Sequence, residues 1–262
     1  MTMQLTAEDV SLAYDVAPVV HEVSLAIPKQ QITALIGPNG SGKSTLLKGL
    51  ARLMHPARGA VYLDGAAIHS LPTRQVARQL AILPQRAEAP GALTVRELVA
   101  YGRFPYQGFF GVATADDERQ IEAALESTGI AHLADRLLGE LSGGQRQLAW
   151  IAMALAQETE LLLLDEPTTF LDMAHQLEVL EVLERLHRQR QRTIVMVLHD
   201  VNQAARYADH MVALVEGRIA ASGTPHEILT VATLAEVFGI EAEVMVRTDA
   251  NVPFCIPLRN RR

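Results

Sequence analysis

Apolar residues in this chain follow two patterns, short continuous runs and runs with helical spacing. The β-prone run 31–36 and the apolar runs 161–164 and 193–198 are typical of parallel strands that are covered on both faces. Between the last two runs, residues 173–186 predict a crossover helix. This alternation of strands and helices predicts an α/β sheet.

A glycine-rich turn over residues 37–42 follows the first of these predicted strands. Residues 43–54 then predict a helix, because their leucines recur on one helical face at Leu46, Leu47, Leu50 and Leu53. A strand, a glycine-rich loop and a helix in this order are what a phosphate-binding loop requires.

The segment from about residue 87 to residue 157 interrupts the α/β alternation. It contains no convincing strand pattern, and it predicts helices over residues 94–101, 116–128 and 143–157. We therefore expect one domain, 1–262, in which residues 1–86 and 158–262 form the α/β core and residues 87–157 form an inserted helical subdomain.

Composition narrows the class of protein. With 262 residues, of which 49% are apolar, the chain can bury a substantial core. Its net charge of -7 argues against a general nucleic-acid binder, whose surface is normally basic. Cys255 is the single cysteine, which excludes an internal disulfide and a multi-cysteine metal site. We expect it to be a buried, inert thiol.

The sequence also bears on location. The first residues lack the basic start and apolar stretch of a signal peptide, so export is not expected. No apolar run approaches the roughly twenty residues that cross a bilayer, and the chain is expected in the cytoplasm.

The glycine-rich turn matches the phosphate-loop pattern G-x-x-x-x-G-K-[ST]. The residues of the match are Gly37, Pro38, Asn39, Gly40, Ser41, Gly42, Lys43, Ser44 and Thr45. In such a loop, backbone N–H groups and the start of the following helix face phosphate oxygens. We expect Lys43 to contact the β- and γ-phosphates of ATP and the Ser44 hydroxyl to ligate Mg²⁺.

Two acidic residues end the apolar run 161–164. Ligands of open α/β sheets lie at the carboxyl ends of strands, which predicts that Asp165 and Glu166 face the nucleotide. Asp165 is expected to hold Mg²⁺ through its water shell, and Glu166 to polarise the attacking water. A solvated strand end before a turn at Pro167 is the simpler alternative.

The segment Leu141–Gln145 reads Leu-Ser-Gly-Gly-Gln, and with the two motifs above it resembles the ATP-binding subunits of ABC transporters. The resemblance runs over most of the chain and implies a P-loop NTPase core of the RecA-like type with an inserted helical subdomain. It also implies a head-to-tail dimer, in which Ser142, Gly143, Gly144 and Gln145 of one copy close over the ATP bound by the other. Ser142 is expected to be a helix N-cap as well.

Three further residues match the family in order. Gln85 resembles the glutamine that reaches Mg²⁺ and the water while joining two subdomains, and His199 resembles the histidine that contacts the γ-phosphate and orients the water. Asp172 resembles the aspartate that communicates across the dimer. Tyr14 either stacks on adenine or is a core strand residue. The resemblance implies a working ATPase, because its set of hydrolytic residues is complete: Lys43, Gln85, Asp165, Glu166 and His199.

Two passages are similar to one branch of the family, the importers of ferric siderophores, haem and vitamin B12. Residues 102–111 and 165–176 resemble the iron-siderophore members most. The resemblance implies membrane permease subunits as partners, indirectly a substrate-binding protein, and a peripheral position on the cytoplasmic face of the inner membrane. Haem or vitamin B12 import, or a soluble ABC ATPase without a transport role, are the alternatives.

Five aromatic residues lie within ten positions of the first passage: Tyr101, Phe104, Tyr106, Phe109 and Phe110. Pro105 and Gly108 interrupt them, so the segment cannot be one regular helix. The rings either form a docking surface for a permease helix or make the small core of the inserted subdomain. The sequence leaves both open.

Overall fold

The computed structural model describes residues 4–14, 17–85, 87, 89–108, 113–248 and 251–261. In these ranges, no helix has the length and apolar character needed to span a membrane. The chain forms two compact units, one made of residues 1–70 and 193–262 and the other of residues 71–192.

Twelve strands are described. They are β1 (Leu5–Tyr14), β2 (Ala17–Ala26), β3 (Ile32–Ile36), β4 (Arg58–Leu63), β5 (Ala66–Ala67), β6 (Leu80–Leu83), β7 (Leu161–Leu164), β8 (Thr193–Val197), β9 (His210–Val215), β10 (Arg218–Gly223), β11 (Ile240–Arg247) and β12 (Val252–Asn260).

Nine α-helices lie among the described residues. They are α1 (Lys43–Leu50), α2 (Thr73–Ala77), α3 (Val95–Ala100), α4 (Ala115–Ser127), α5 (Gly143–Ala156), α6 (Met173–Arg190), α7 (Val201–Tyr207), α8 (Pro225–Ile228) and α9 (Val231–Phe238). Short 3₁₀ helices cover Tyr101–Arg103, Ala131–Leu133 and Leu138–Glu140.

The first unit contains the strand that precedes the phosphate loop. Strand β3 lies between β8 and β9 and is parallel to both, and β10 pairs with β9 in the antiparallel sense. All residues of β3 and β8 are buried, which confirms the prediction of strands covered on both faces. A separate antiparallel sheet has the order β2-β1-β4-β5.

Strands β11 and β12 form a hairpin in the same unit. Cys255 lies on β12 and is 3% exposed, which confirms its predicted burial. Burial raises the pKa of the Cys255 thiol, so the reactive thiolate is disfavoured. The side chain of Asn202 on α7 anchors the hairpin, because its Oδ1 accepts from the backbone N–H of Cys255 at 2.8 Å.

The second unit contains β7, which precedes Asp165 and Glu166, and the helices α2 to α6. Strands β6 and β7 are parallel, and every residue of β7 is buried. The helices predicted over 94–101, 116–128 and 143–157 are present as α3, α4 and α5, and the predicted crossover helix is α6. The boundaries 87 and 157 of the inserted subdomain stay a prediction.

One predicted helix is too long. The pattern over residues 43–54 continues past the end of α1 at Leu50, and Leu53 is 59% exposed instead of packed. Arg52 has a left-handed backbone with φ of 63°, which an α-helix cannot include, and the N–H groups of Leu53 and Met54 both donate to the carbonyl of Lys48. The helix therefore ends in a tight turn.

A buried arginine organises the helices of the second unit. Arg103 is 1% exposed, and its guanidinium donates to Asp117 Oδ1 at 2.8 Å, to Glu158 Oε2 at 2.8 Å and to the carbonyl of Ala156 at 2.7 Å. It also lies 4.1 Å from the ring centroid of Tyr106. Removing one partner of such a buried pair typically costs about 3–5 kcal/mol, so Arg103 fixes how these segments pack.

Candidate nucleotide site

Two glycines of the phosphate loop combine a positive φ with close backbone neighbours, which disfavours a side chain at either position. Gly37, directly after β3, has φ of 141°, and a Cβ added there would lie 2.1 Å from the carbonyl oxygen of Leu214. Gly42 has φ of 97° and an added Cβ would lie 3.1 Å from the carbonyl oxygen of Val19. Only glycine meets both conditions, so backbone alone forms these parts of the loop.

Lys43 begins α1 and turns its side chain back into the loop. It is 4% exposed, and its ammonium donates to the carbonyls of Gly37 and Pro38, each at 2.9 Å. Ser41 is 2% exposed, and among the described residues none accepts or donates a hydrogen bond at its Oγ. A buried hydroxyl without a partner is costly. The loop therefore fits a phosphate chain, which would supply acceptors to both groups.

The strand register brings His199 to the same sheet edge as the phosphate loop. Leu35 of β3 pairs with Val197 of β8, and the N–H of Leu198 donates to the carbonyl of Leu35 at 3.1 Å. Both parallel strands end here, so His199 and Gly37 follow at the same edge. His199 is exposed, so its side chain is accessible to a ligand at this edge.

Tyr14 ends β1 and is 49% exposed. Lys48 lies beside it, with Nζ 3.4 Å from the phenol oxygen and 6.0 Å from the ring centroid. The ring is therefore not a core strand residue. Stacking on adenine stays a prediction.

The acidic pair follows the last residue of β7. Leu83 of β6 pairs with Leu164, and the N–H of Asp165 donates to the carbonyl of Leu83 at 2.9 Å. Asp165 is 3% exposed. Glu166 adopts a left-handed backbone with φ of 55°, a costly conformation for a non-glycine residue that recurs at functional sites.

The carboxylate of Glu166 is held by two side chains of the second unit. Gln85 Nε2 donates to Glu166 Oε2 at 2.6 Å, and the Thr169 hydroxyl donates to the same oxygen at 2.9 Å. The structure thus brings together Gln85 and Glu166, which are far apart in sequence. Thr169 was not among the predicted site residues.

Residues 141–145, here called the signature segment, lead into α5 with a capping box at Ser142. Ser142 Oγ accepts from the N–H of Gln145 at 3.2 Å, and Gln145 Oε1 accepts from the N–H of Ser142 at 3.1 Å, which confirms the predicted N-cap. Ser142 and Gly143 are exposed and Gly144 is buried. The exposed first turn presents the positive end of a helix, which favours an anion.

Asp172 is the N-cap of α6. Its Oδ1 accepts from the backbone N–H of His175 at 2.9 Å and lies 2.8 Å from Nδ1 of the same histidine. The backbone bond and then the ring bond from His175 hold the pKa of Asp172 below its usual value. Asp172 is therefore a carboxylate at neutral pH, with 65% of its side chain exposed.

The family profile described as ABC transporter matches residues 20–169. The chain belongs to the ABC transporter family. It is 52% identical to the iron(3+)-hydroxamate import ATP-binding protein FhuC of Bacillus subtilis (strain 168), over 96% of this chain and 94% of that protein. It is 48% identical to the ferric enterobactin transport ATP-binding protein FepC of Escherichia coli (strain K12), over 97% and 94% of the two chains.

Solved structures agree in fold. An inward-facing metal-chelate type ABC transporter matches with a TM-score of 0.85 and 30% identity, over 99% of this chain and 98% of that one. A dimeric ATP-binding cassette bound to ADP and Pi matches with a TM-score of 0.74 and 26% identity, over 84% and 98%. The chain has the predicted ABC ATPase fold, binds adenine nucleotides and is an ATPase.

The aromatic cluster predicted near residue 105 divides in the structure. Tyr101 is 47% exposed and Phe104 is 65% exposed, with ring centroids 6.2 Å apart, whereas Tyr106 is half-buried against Arg103. Phe109 and Phe110 lie outside the described residues. Tyr106 therefore packs internally, which agrees with the core explanation, while Tyr101 and Phe104 are exposed. A docking surface for a permease helix stays a prediction.

Three residues with evident roles were missed by the sequence reasoning: Thr169, His175 and Arg103. Thr169 and His175 lie within residues 165–176, a passage that indicated the branch of the family but gave neither residue a role. The signal for both was their spacing of three residues from Glu166 and Asp172, which suits a side-chain contact across one turn. Arg103 carried no comparable signal, because its partners lie 14 and 55 positions away.

Proposed function

We propose that this chain is the ATP-hydrolysing subunit of an importer of ferric siderophores. The observation that carries the proposal is its identity of 52% and 48% to two ATP-binding proteins of iron-chelate transport, in each case over nearly the full length of both chains. The substrate class rests on this kinship, since the nucleotide-site residues act on ATP and not on the iron chelate.

In this function the phosphate loop, residues 37–45, holds the phosphates of ATP through its backbone N–H groups. The Lys43 ammonium exchanges its two carbonyl acceptors for oxygens of the β- and γ-phosphates. Tyr14 stacks on adenine. The buried position of Lys43 and the exposed position of Tyr14 support these roles.

Ser44, Gln85 and Asp165 would hold Mg²⁺. Hydroxyl, amide and carboxylate oxygens are ligands that suit this hard cation. When bound, the metal neutralises charge on the β- and γ-phosphates. Asp165 follows the carboxyl end of the buried parallel strand β7, where ligands of α/β sheets bind, and this position supports its assignment.

Glu166 orients and polarises the attacking water with its carboxylate. The two hydrogen bonds at Oε2 restrict the orientation of the carboxylate, which supports this role. His199 contacts the γ-phosphate and helps to orient the same water. Glu166, His199, Lys43 and Gln85 are thus the residues that we assign to catalysis.

The chain would act as a head-to-tail dimer on permease subunits at the cytoplasmic face of the inner membrane. Ser142, Gly143, Gly144 and Gln145 of one copy would face the ATP of the other, with Asp172 contacting the opposite copy. The exposed helix start at Ser142 and the dimeric cassette among the structural relatives support this arrangement.

Growth on defined iron sources tests the substrate class. A strain lacking this chain should fail on one or more ferric siderophores supplied as the single iron source, and the intact chain should restore growth. A chain with Lys43→Ala should not restore it. Normal growth on every siderophore, with failure on haem or on a cobalamin-dependent medium, would overturn the siderophore assignment.

Isolation from native membranes tests the transport role itself. The tagged chain should co-purify with a polytopic permease. Recovery of the chain without any membrane protein, under conditions that preserve other transporters, would favour a soluble ATPase instead.

A further inference from the structure

In the second unit, the segment that carries Asp172 lies against the first turn of α5. Leu171 Cδ2 would lie 3.6 Å from a Cβ added at Gly143, and the ring of His175 lies still closer to Gly144. A Cβ added at Gly144 would lie 2.3 Å from Cδ2 and 2.7 Å from Cγ of that ring. The segment that carries Asp172 therefore packs directly on the two glycines of α5.

His175 contacts both segments at once. Its side chain occupies the space that a Cβ at Gly144 would need, while its Nδ1 lies 2.8 Å from Asp172 Oδ1. A carboxylate can only accept, so Nδ1 carries the proton and donates. Fixing the ring by two different contacts removes most of its rotamer freedom and with it the freedom of the Asp172 side chain.

Neither the start of α6 nor packing of the core explains the position of the His175 ring. The backbone N–H of His175 already completes the N-cap at Asp172, so the second hydrogen bond from the ring is not required to start α6. The side chain is 37% exposed and therefore contributes little to the core. Its two contacts are instead with Gly144, proposed to face a nucleotide bound by a second copy, and with Asp172, proposed to contact that copy.

We infer that His175 is a positioning residue, which fixes the Asp172 carboxylate against the first turn of α5 so that both meet the opposite copy in one fixed arrangement. This inference rests on the proposed function, because it concerns how the second copy completes the ATP site. Misplacement of such groups by an ångström can cost up to about a hundredfold in rate.

Hydrolysis by the full chain gives the first test. His175→Ala should lower kcat about tenfold while ATP binding by the monomeric chain stays within twofold of the parent. His175→Asn should recover most of the rate, because its amide can donate to Asp172. His132→Ala, an exposed histidine of the same unit, should have no effect. An unchanged kcat in His175→Ala, or equal losses in the Ala and Asn variants, would overturn the inference.

A thermal-unfolding cycle tests the contact without ATP. Gly144→Ala should lower Tm in the parent, because the new methyl meets the ring, and should lower it by less than half as much in a His175→Ala background. Equal shifts in both backgrounds would contradict the contact. Absence of hydrolysis in the unaltered chain would overturn the proposed function, whereas this cycle would still decide the packing.

Discussion

The phosphate loop is shaped mainly by its backbone, whereas the segment that follows β7 is shaped mainly by its side chains. In the phosphate loop, glycine backbone defines the shape, and the one functional ammonium is buried and satisfied by carbonyls of the loop. After β7, side chains define the arrangement, since Glu166 is held by Gln85 and Thr169, and Asp172 by His175.

The two regions are therefore sensitive to different kinds of substitution. A backbone cradle with no spare space is damaged by added atoms, whereas a network of side chains is damaged by removed hydrogen-bond partners. Substitutions in the first region should therefore change nucleotide binding, and those in the second should change the rate of hydrolysis.

The largest effect is expected at Glu166. Glu166→Gln keeps the size of the side chain but removes the carboxylate that polarises water, so kcat should fall by about a thousandfold. ATP binding should stay near the parental value, and the variant should accumulate as an ATP-bound dimer. Phosphate release, nucleotide affinity and size-exclusion chromatography measure the three outcomes. Phosphate release near the parental rate would remove Glu166 from its role.

Gly37→Ala should have the next largest effect, this time on binding. The added methyl meets the Leu214 carbonyl oxygen at 2.1 Å in a backbone conformation with φ of 141°. Strain of about 3 kcal/mol corresponds to roughly a hundredfold loss of ATP affinity if the loop must shift. Titration with a fluorescent ATP analogue measures this loss of affinity.

Gly40→Ala is the matched control for that experiment. Gly40 also has a positive φ, 78°, but among the described atoms none lies within 4 Å of an added Cβ. Its affinity loss should be several times smaller. Equal losses at both glycines would mean that backbone conformation, and not lack of space, defines the loop.

Thr169→Val should have the smallest effect. It keeps the shape of the side chain and removes one of the hydrogen bonds to Glu166 Oε2, which should lower kcat by about tenfold with little change in ATP affinity. Steady-state kinetics separates the two quantities. A rise in KM at unchanged kcat would place Thr169 with the binding region instead.

The phosphate loop and the α/β sheet could be predicted from the sequence. The phosphate loop is contiguous, so its spacing alone identified Lys43 and the order of strand, loop and helix. The α/β sheet followed from the continuous apolar runs that became β7 and β8. These features could be predicted because each depends on residues that are neighbours in the sequence.

What the sequence did not predict depends on contacts between distant segments or on special backbone conformations. The hydrogen bond from Gln85 to Glu166 spans 81 positions, and the Arg103 ion pairs form only when α4 and α5 pack. The left-handed turn at Arg52 ended α1 four residues before the apolar pattern did. Neither hydrophobic spacing nor helix propensity encodes such features.

In the proposed dimer, each ATP is held by the phosphate loop of one copy and the signature segment of the other. Mixing a Lys43→Ala chain with a Ser142→Arg chain tests it most directly, because each variant alone forms dimers without a complete site. Random mixed dimers regain one intact site, so ATP hydrolysis should recover to about a quarter of the parental rate. A mixture as inactive as either variant alone would contradict the claim.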